Sequence, residues 1–160
     1  MELAELVGEF GERIGLDLKP DENGTCALAV DGMNITIQDV SEAYAVGLWG
    51  RIGAPPPEGL RQLYEMMLDA NHLFRATSGA TISRDPESGD FYLCRLLDLR
   101  VLDSESFFSA LEKFVNTLEV WQKVIADYRP VADEIGKKDA DRAAASGLQL
   151  PAMGSGFIQI

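Results

Sequence analysis

The chain has 160 residues, 46% hydrophobic and 25% charged, and 26 Asp and Glu against 14 Lys and Arg give a net charge of −12 at pH 7. That length suits one domain, or one domain and a tail, and the composition argues against general disorder. The charge argues against nucleic acid or an anionic membrane as partner, because both select basic patches and no stretch clusters Lys or Arg.

Met1-Glu2-Leu3-Ala4-Glu5-Leu6 has neither a basic nor an apolar leader region, so no secretory signal is expected. No apolar run approaches the roughly 18 residues of a membrane span. Leu3, Leu6, Val7, Phe10 and Ile14 recur at helical spacing among acidic residues, which predicts an amphipathic first helix ending near Gly15. Asp21 to Gly24 is a turn. Cys26–Val30 and Met33–Ile37 then read as two strands joined by Asp31-Gly32, a hairpin signal because both turn positions need positive φ. A third strand is expected over Ala43–Trp49, completing a meander.

Gly53-Ala-Pro-Pro-Pro57 breaks the sheet, and a second helix is expected from about Glu58 to Phe74. Thr81–Arg84 and Phe91–Leu97 read as strands around the turn Asp85–Gly89. Asp103 or Ser104 caps a third helix whose apolar positions, from Phe107 to Tyr128, keep a 3.6-residue period, and Pro130 closes it. The expected fold is α+β: helix, three-strand antiparallel meander, helix, two or three strands, long helix. One twisted antiparallel sheet is flanked by the helices. Residues 1–128 form the domain, and 129–160 read as a flexible tail with a short apolar C-terminus, Gly156-Phe-Ile-Gln-Ile160.

Chemistry is sparse. Cys26 and Cys94 read as two buried thiols, small hydrophobes rather than a disulfide or a metal pair. His72 is the single histidine. Glu65, Asp69 and His72 fall at i, i+4 and i+7 on one side of the second helix, a spacing that suits either a solvated face or part of a metal site. No second His or Cys cluster completes such a site. No Gly-x-Ser-x-Gly, Gly-rich phosphate loop or calcium loop occurs. The expectation is a non-enzyme with no catalytic residues, no metal and no cofactor.

The second helix is more informative. At 100° per residue from Leu60, its apolar positions Leu60, Leu63, Tyr64, Met67, Leu68, Ala70 and Phe74 cover one broad arc, with Met66 and Leu73 well outside it. Such a helix is either deeply buried or packed between its own sheet and another subunit. Asn71 lies inside the arc, so its amide is expected to bond a backbone group. Phe91-Tyr-Leu-Cys-Arg-Leu-Leu97 is apolar on both faces, and Trp49 opposes Tyr44, Val46 and Leu48, which leaves sheet surface for a partner.

From residue 2 to about 128 the sequence resembles the class I type III secretion chaperones of the Tir chaperone family. The residues carrying the likeness are Ile14-Gly15-Leu16, Cys26–Val30 with Met33–Ile37, Leu68-Asp-Ala-Asn71, Phe91–Leu96, and Leu111-Glu-Lys-Phe-Val115 with Trp121. The resemblance implies a cytoplasmic bacterial homodimer that holds the N-terminal region of a secreted effector in an extended, secretion-competent form without ATP. It implies an effector patch, assigned to Leu3, Met33, Ile35 and Trp49, and a dimer contact, assigned to Leu63, Met66 and Leu73. A regulatory protein-binding module of the same shape without a secretion role, as in YbjN-like proteins, is the alternative.

Overall fold

Each end of the first helix is fixed by a local device. In the computed structural model, which describes residues 2–131, α1 (Leu3–Ile14) begins with a reciprocal capping box in which the Glu2 amide donates to Glu5 Oε2 at 3.0 Å. It ends on Gly15 at φ 75°, where the Leu16 amide returns to the Gly11 carbonyl at 2.8 Å. Gly11 is required at that corner, since a Cβ there would overlap the Leu16 carbonyl oxygen.

The hairpin follows as expected. Strands β1 (Thr25–Val30) and β2 (Met33–Val40) pair antiparallel, with Val30 opposite Met33 and with Asp31 and Gly32 both at positive φ. A 3₁₀ turn, Ser41–Ala43, and a left-handed Tyr44 delay the third strand, so β3 covers Ala45–Gly53 rather than starting at Ala43. It runs past Trp49 through Arg51-Ile-Gly53, where the register slips before Pro55 ends it.

Helix α2 (Leu60–Asn71) is shorter than its periodicity predicts. A 3₁₀ turn, His72–Phe74, replaces its last turn, because Leu73 (φ 54°) and Phe74 (φ 55°) are both left-handed. Strands β4 (Thr81–Arg84) and β5 (Phe91–Asp98) form the second hairpin, and α3 (Ser104–Ala126) is capped by Asp103, whose carboxylate accepts the Ser106 amide at 2.8 Å. The sheet is open and wholly antiparallel, in the order β1-β2-β3-β5-β4.

Register decides what each strand buries. Cys26, Leu28, Met33, Ile35, Ile37, Val46, Leu48, Phe91, Leu93 and Leu97 share one face, and all are in the core. That face is covered by Leu3, Leu6 and Val7 of α1, Leu63, Met67 and Ala70 of α2, and Phe107, Leu111, Phe114, Leu118 and Trp121 of α3. Each fully buried Phe or Leu contributes roughly 1.5–3 kcal/mol relative to exposure. Helix α3 comes so near β3 that a Cβ at Gly50 would overlap Leu118. Trp121 Nε1 donates to the Ala76 carbonyl at 2.9 Å, tying α3 to the loop before β4, and Tyr128 Oη donates to that of Gly59 at 2.8 Å, tying the residues after α3 to the start of α2.

Asn71 behaves as expected. Its side chain donates to the Ile82 carbonyl at 3.1 Å and accepts the Ile82 amide at 2.8 Å, clamping the end of α2 to β4. Leu68 and Phe74, placed in the buried arc by periodicity, are instead exposed. The tail expected over 129–160 lies, from residue 132 onward, outside the described residues.

Candidate binding surfaces

With all three helices on one side, the other face of the sheet is uncovered among the described residues. It presents Ala27, Ala29, Thr36, Trp49, Tyr92, Cys94 and Leu96 in register, with Leu96 exposed and the Trp49, Tyr92 and Cys94 side chains half-buried. The Trp49 ring lies across Gly47, where a Cβ would overlap it. Glycine therefore lets the indole lie flat on the sheet. The thiols are free and sit on opposite faces, Cys26 inward and Cys94 outward, and burial pushes the Cys26 thiol up.

The second surface is a groove. Beside the outer edge of β1, a cavity of about 740 Å³ opens between the C-terminal half of α1 and the first half of α3. Phe10, Ile14 and Leu16 line one wall, Phe108, Leu111 and Val115 the other, with Leu28 and Val30 along the strand. Ile14 and Leu16 are exposed although apolar. Phe10 packs against Phe107 and Phe108 at ring separations of 6.4 and 5.5 Å. Arg13 stands at the rim, 5.0 Å from the Phe108 ring centre and 3.0 Å from Glu105. The bridge between Glu9 and Ser104 closes the same pair of helices. Because β1 is an edge strand, a row of backbone groups runs alongside the opening.

The residues assigned to the effector patch are not gathered on one surface. Leu3, Met33 and Ile35 are buried in the core on the helix-covered face, Leu3 at the wall of a separate cavity with Tyr44 and Leu99. Trp49 lies on the opposite, open face. Of the residues assigned to the dimer, Leu63 is fully buried, Met66 is 36% exposed and Leu73 is 71% exposed. The groove residues Leu16, Val30 and Phe108 were missed by periodicity. The available signal was Ile14-Gly15-Leu16, which sets two large aliphatics around a helix stop.

Among the described residues no group of His, Cys, Asp or Glu is placed to hold a metal ion. Glu65 pairs with Arg61 at 3.5 Å, and His72 opens the 3₁₀ turn. No described helix is long and apolar enough to cross a membrane.

The fold is similar to that of several solved complexes. The ExsC–ExsE complex superposes with a TM-score of 0.67 at 23% identity, covering 83% of this chain and all of that one. The HopA1–SchA chaperone–effector complex gives 0.63 at 17% identity, covering 74% and 91%. The Yersinia pestis type III secretion chaperone SycH, in complex with a stable fragment of YscM2, gives 0.59 at 19%, covering 74% and 98%. No curated protein matches the sequence. These likenesses concern the fold alone, whereas residues 5–122 match a family model directly: the chain belongs to the Tir chaperone protein (CesT) family.

Proposed function

We propose that the protein is a dimeric, ATP-independent cytoplasmic chaperone that holds the N-terminal region of a type III secreted effector as an extended segment. The segment would add as a strand to the outer edge of β1, its alternate side chains entering the groove between α1 and α3. The observation that carries this reading is the adjacency of a strand edge unpaired among the described residues and an apolar groove of about 740 Å³. Strand addition uses main-chain hydrogen bonds that tolerate many sequences, while the groove selects apolar residues at every second position, about 6.7 Å apart.

The energetics favour a client that engages more than one surface. Opposite the six residues of β1, about three client side chains would point into the groove, each worth ~1.5–3 kcal/mol by burial. Ordering the same stretch of backbone costs ~1–2 kcal/mol per residue. The groove alone therefore gives a weak site, and the open sheet face around Trp49 and Leu96 supplies a second contact in this reading. Self-association through Met66, Leu73 and Phe74 accounts for apolar surface at the end of α2 that the monomer leaves in water. The chain's similarity to chaperone–effector complexes supports the same assignment.

The test is affinity purification of the tagged full chain from its native host, with identification of what co-purifies. Ile14→Glu and Leu16→Glu change only exposed groove residues, so the fold is kept while the client is lost. Full retention of an effector by both variants would overturn the groove as its site. Recovery of no effector from wild-type protein would overturn the chaperone function.

A further inference from the structure

On β5 the inward-facing series Phe91, Leu93, Leu97 is interrupted by Arg95, which sits opposite Leu48 on the helix-covered face of the sheet. Its guanidinium is wedged between the α2–β4 loop and α3. A Cβ at Gly79 would come within 3.4 Å of Nη2, and Nη1 is closed off from water with no hydrogen-bond partner among the described residues. A charged donor left unpaired in such a place is costly, and burial accordingly pulls the Arg95 pKa down.

Arg95 forms the floor of a shallow cavity of about 420 Å³ walled by Ser106, Ser109, Ala110 and Lys113 of α3, with Glu105 at its rim. Neither Arg95 nor Lys113 has a carboxylate partner among the described residues, whereas Glu105 is engaged by Arg13 at 3.0 Å. In a chain of net charge −12 this is a local cationic island. It also adjoins the apolar groove, because Glu105 and Ser109 line both.

We infer that this cavity is a carboxylate-binding site, in which Arg95 and Lys113 receive an Asp or Glu side chain of the protein segment held in the neighbouring groove. The inference rests on the proposed function for the source of the carboxylate, but the site itself is a property of the isolated chain. With Nη1 closed off from water, the contact falls to the other donors of the guanidinium, Lys113 adds a second charge, and the Ser109 hydroxyl can complete the donor set. Such a contact fixes the position of a client along a groove whose apolar pockets alone would tolerate sliding.

The experiment titrates the full chain, at constant ionic strength, with N-acetylglutamate amide, N-acetylglutamine amide and inorganic phosphate in parallel, following the Arg95 Nε–Hε signal and the Ser106 and Ser109 amides by NMR. The glutamate compound is expected to bind saturably and at least about tenfold more tightly than its neutral counterpart, in line with a charge-assisted pair. Arg95→Met, which keeps an unbranched apolar stem, should abolish the difference without lowering the melting temperature. If Arg95→Met fails to fold, Lys113→Met on the exposed surface of α3 decides, with an expected loss of about threefold or more. Equal binding of the two amides, or an unchanged response in the variants, overturns the site. Phosphate binding tighter than the glutamate compound overturns the protein side chain as the occupant. None of these outcomes depends on recovering a client, so failure of the chaperone reading in affinity purification is distinguished from failure of this one.

Discussion

Replacing Asn71 by Ala removes both hydrogen bonds that join the end of α2 to β4, at 3.1 Å and 2.8 Å, and leaves the Ile82 amide and carbonyl without those partners. Each bond contributes about 1 kcal/mol net, and a part-buried orphan adds up to a further ~1 kcal/mol, so Asn71→Ala should destabilise by ~2–3 kcal/mol. For a folded unit of this size the fall in Tm is about 10 °C. Asn71→Asp separates the two bonds: its carboxylate still accepts the Ile82 amide but faces the Ile82 carbonyl with no proton to donate, and about half the loss or more is expected. Urea denaturation followed by circular dichroism measures both variants, and amide exchange at Ile82 localises the effect to β4. A loss below about 0.5 kcal/mol in Asn71→Ala, with Ile82 still protected, would refute the clamp.

Gly47→Ala should push the Trp49 indole off the sheet, giving a shift in tryptophan emission and a loss of about 1–2 kcal/mol by overpacking. Met66→Glu in α2 and Leu73→Glu in the 3₁₀ turn after it should each turn a dimer into a monomer by light scattering, and a variant that remains dimeric excludes that residue from the interface. Acid unfolding has a defined window. Asp98 is held down to about 2 by its hydrogen bond from the Arg100 side chain, and Asp103 is held below the usual carboxylate range by Ser106. Because these folded values lie below the unfolded ones, their stabilisation is full above about pH 4 and is lost as the pH falls toward 2. Asp98→Asn should therefore flatten the fall in Tm between those pH values.

Legibility in the sequence followed locality. The Asp31-Gly32 turn, the Asp103 cap and the strand Thr81–Arg84 depend on a few adjacent residues and could be read directly. Asn71 was readable because an amide in an apolar arc must find a backbone partner. The end of α2 was not, because Leu73 and Phe74 continue the helical period while their backbone leaves it. Strand alternation showed that Met33 and Ile35 share a side, but not that the helices would cover that side. The groove joins Leu16, Val30 and Phe108 from three distant segments, which no local pattern brings together. Arg95 did leave a trace: it occupies the core phase of a strand otherwise filled by Phe and Leu.

The β1 edge, unpaired among the described residues, has a consequence for the protein in concentrated solution. An unpaired strand beside an apolar opening is a template for another copy of itself, and edge-to-edge stacking is how such sheets precipitate. Residues 1–128 hold 22 acidic and ten basic side chains, so this part of the chain carries all of the −12. Mutual repulsion acts over a Debye length of about 10 Å at 0.1 M salt and about 3 Å at 1 M. Colloidal stability should thus be set by ionic strength rather than by folding stability, with reversible association through the empty edge as salt rises and its suppression once a client strand occupies it.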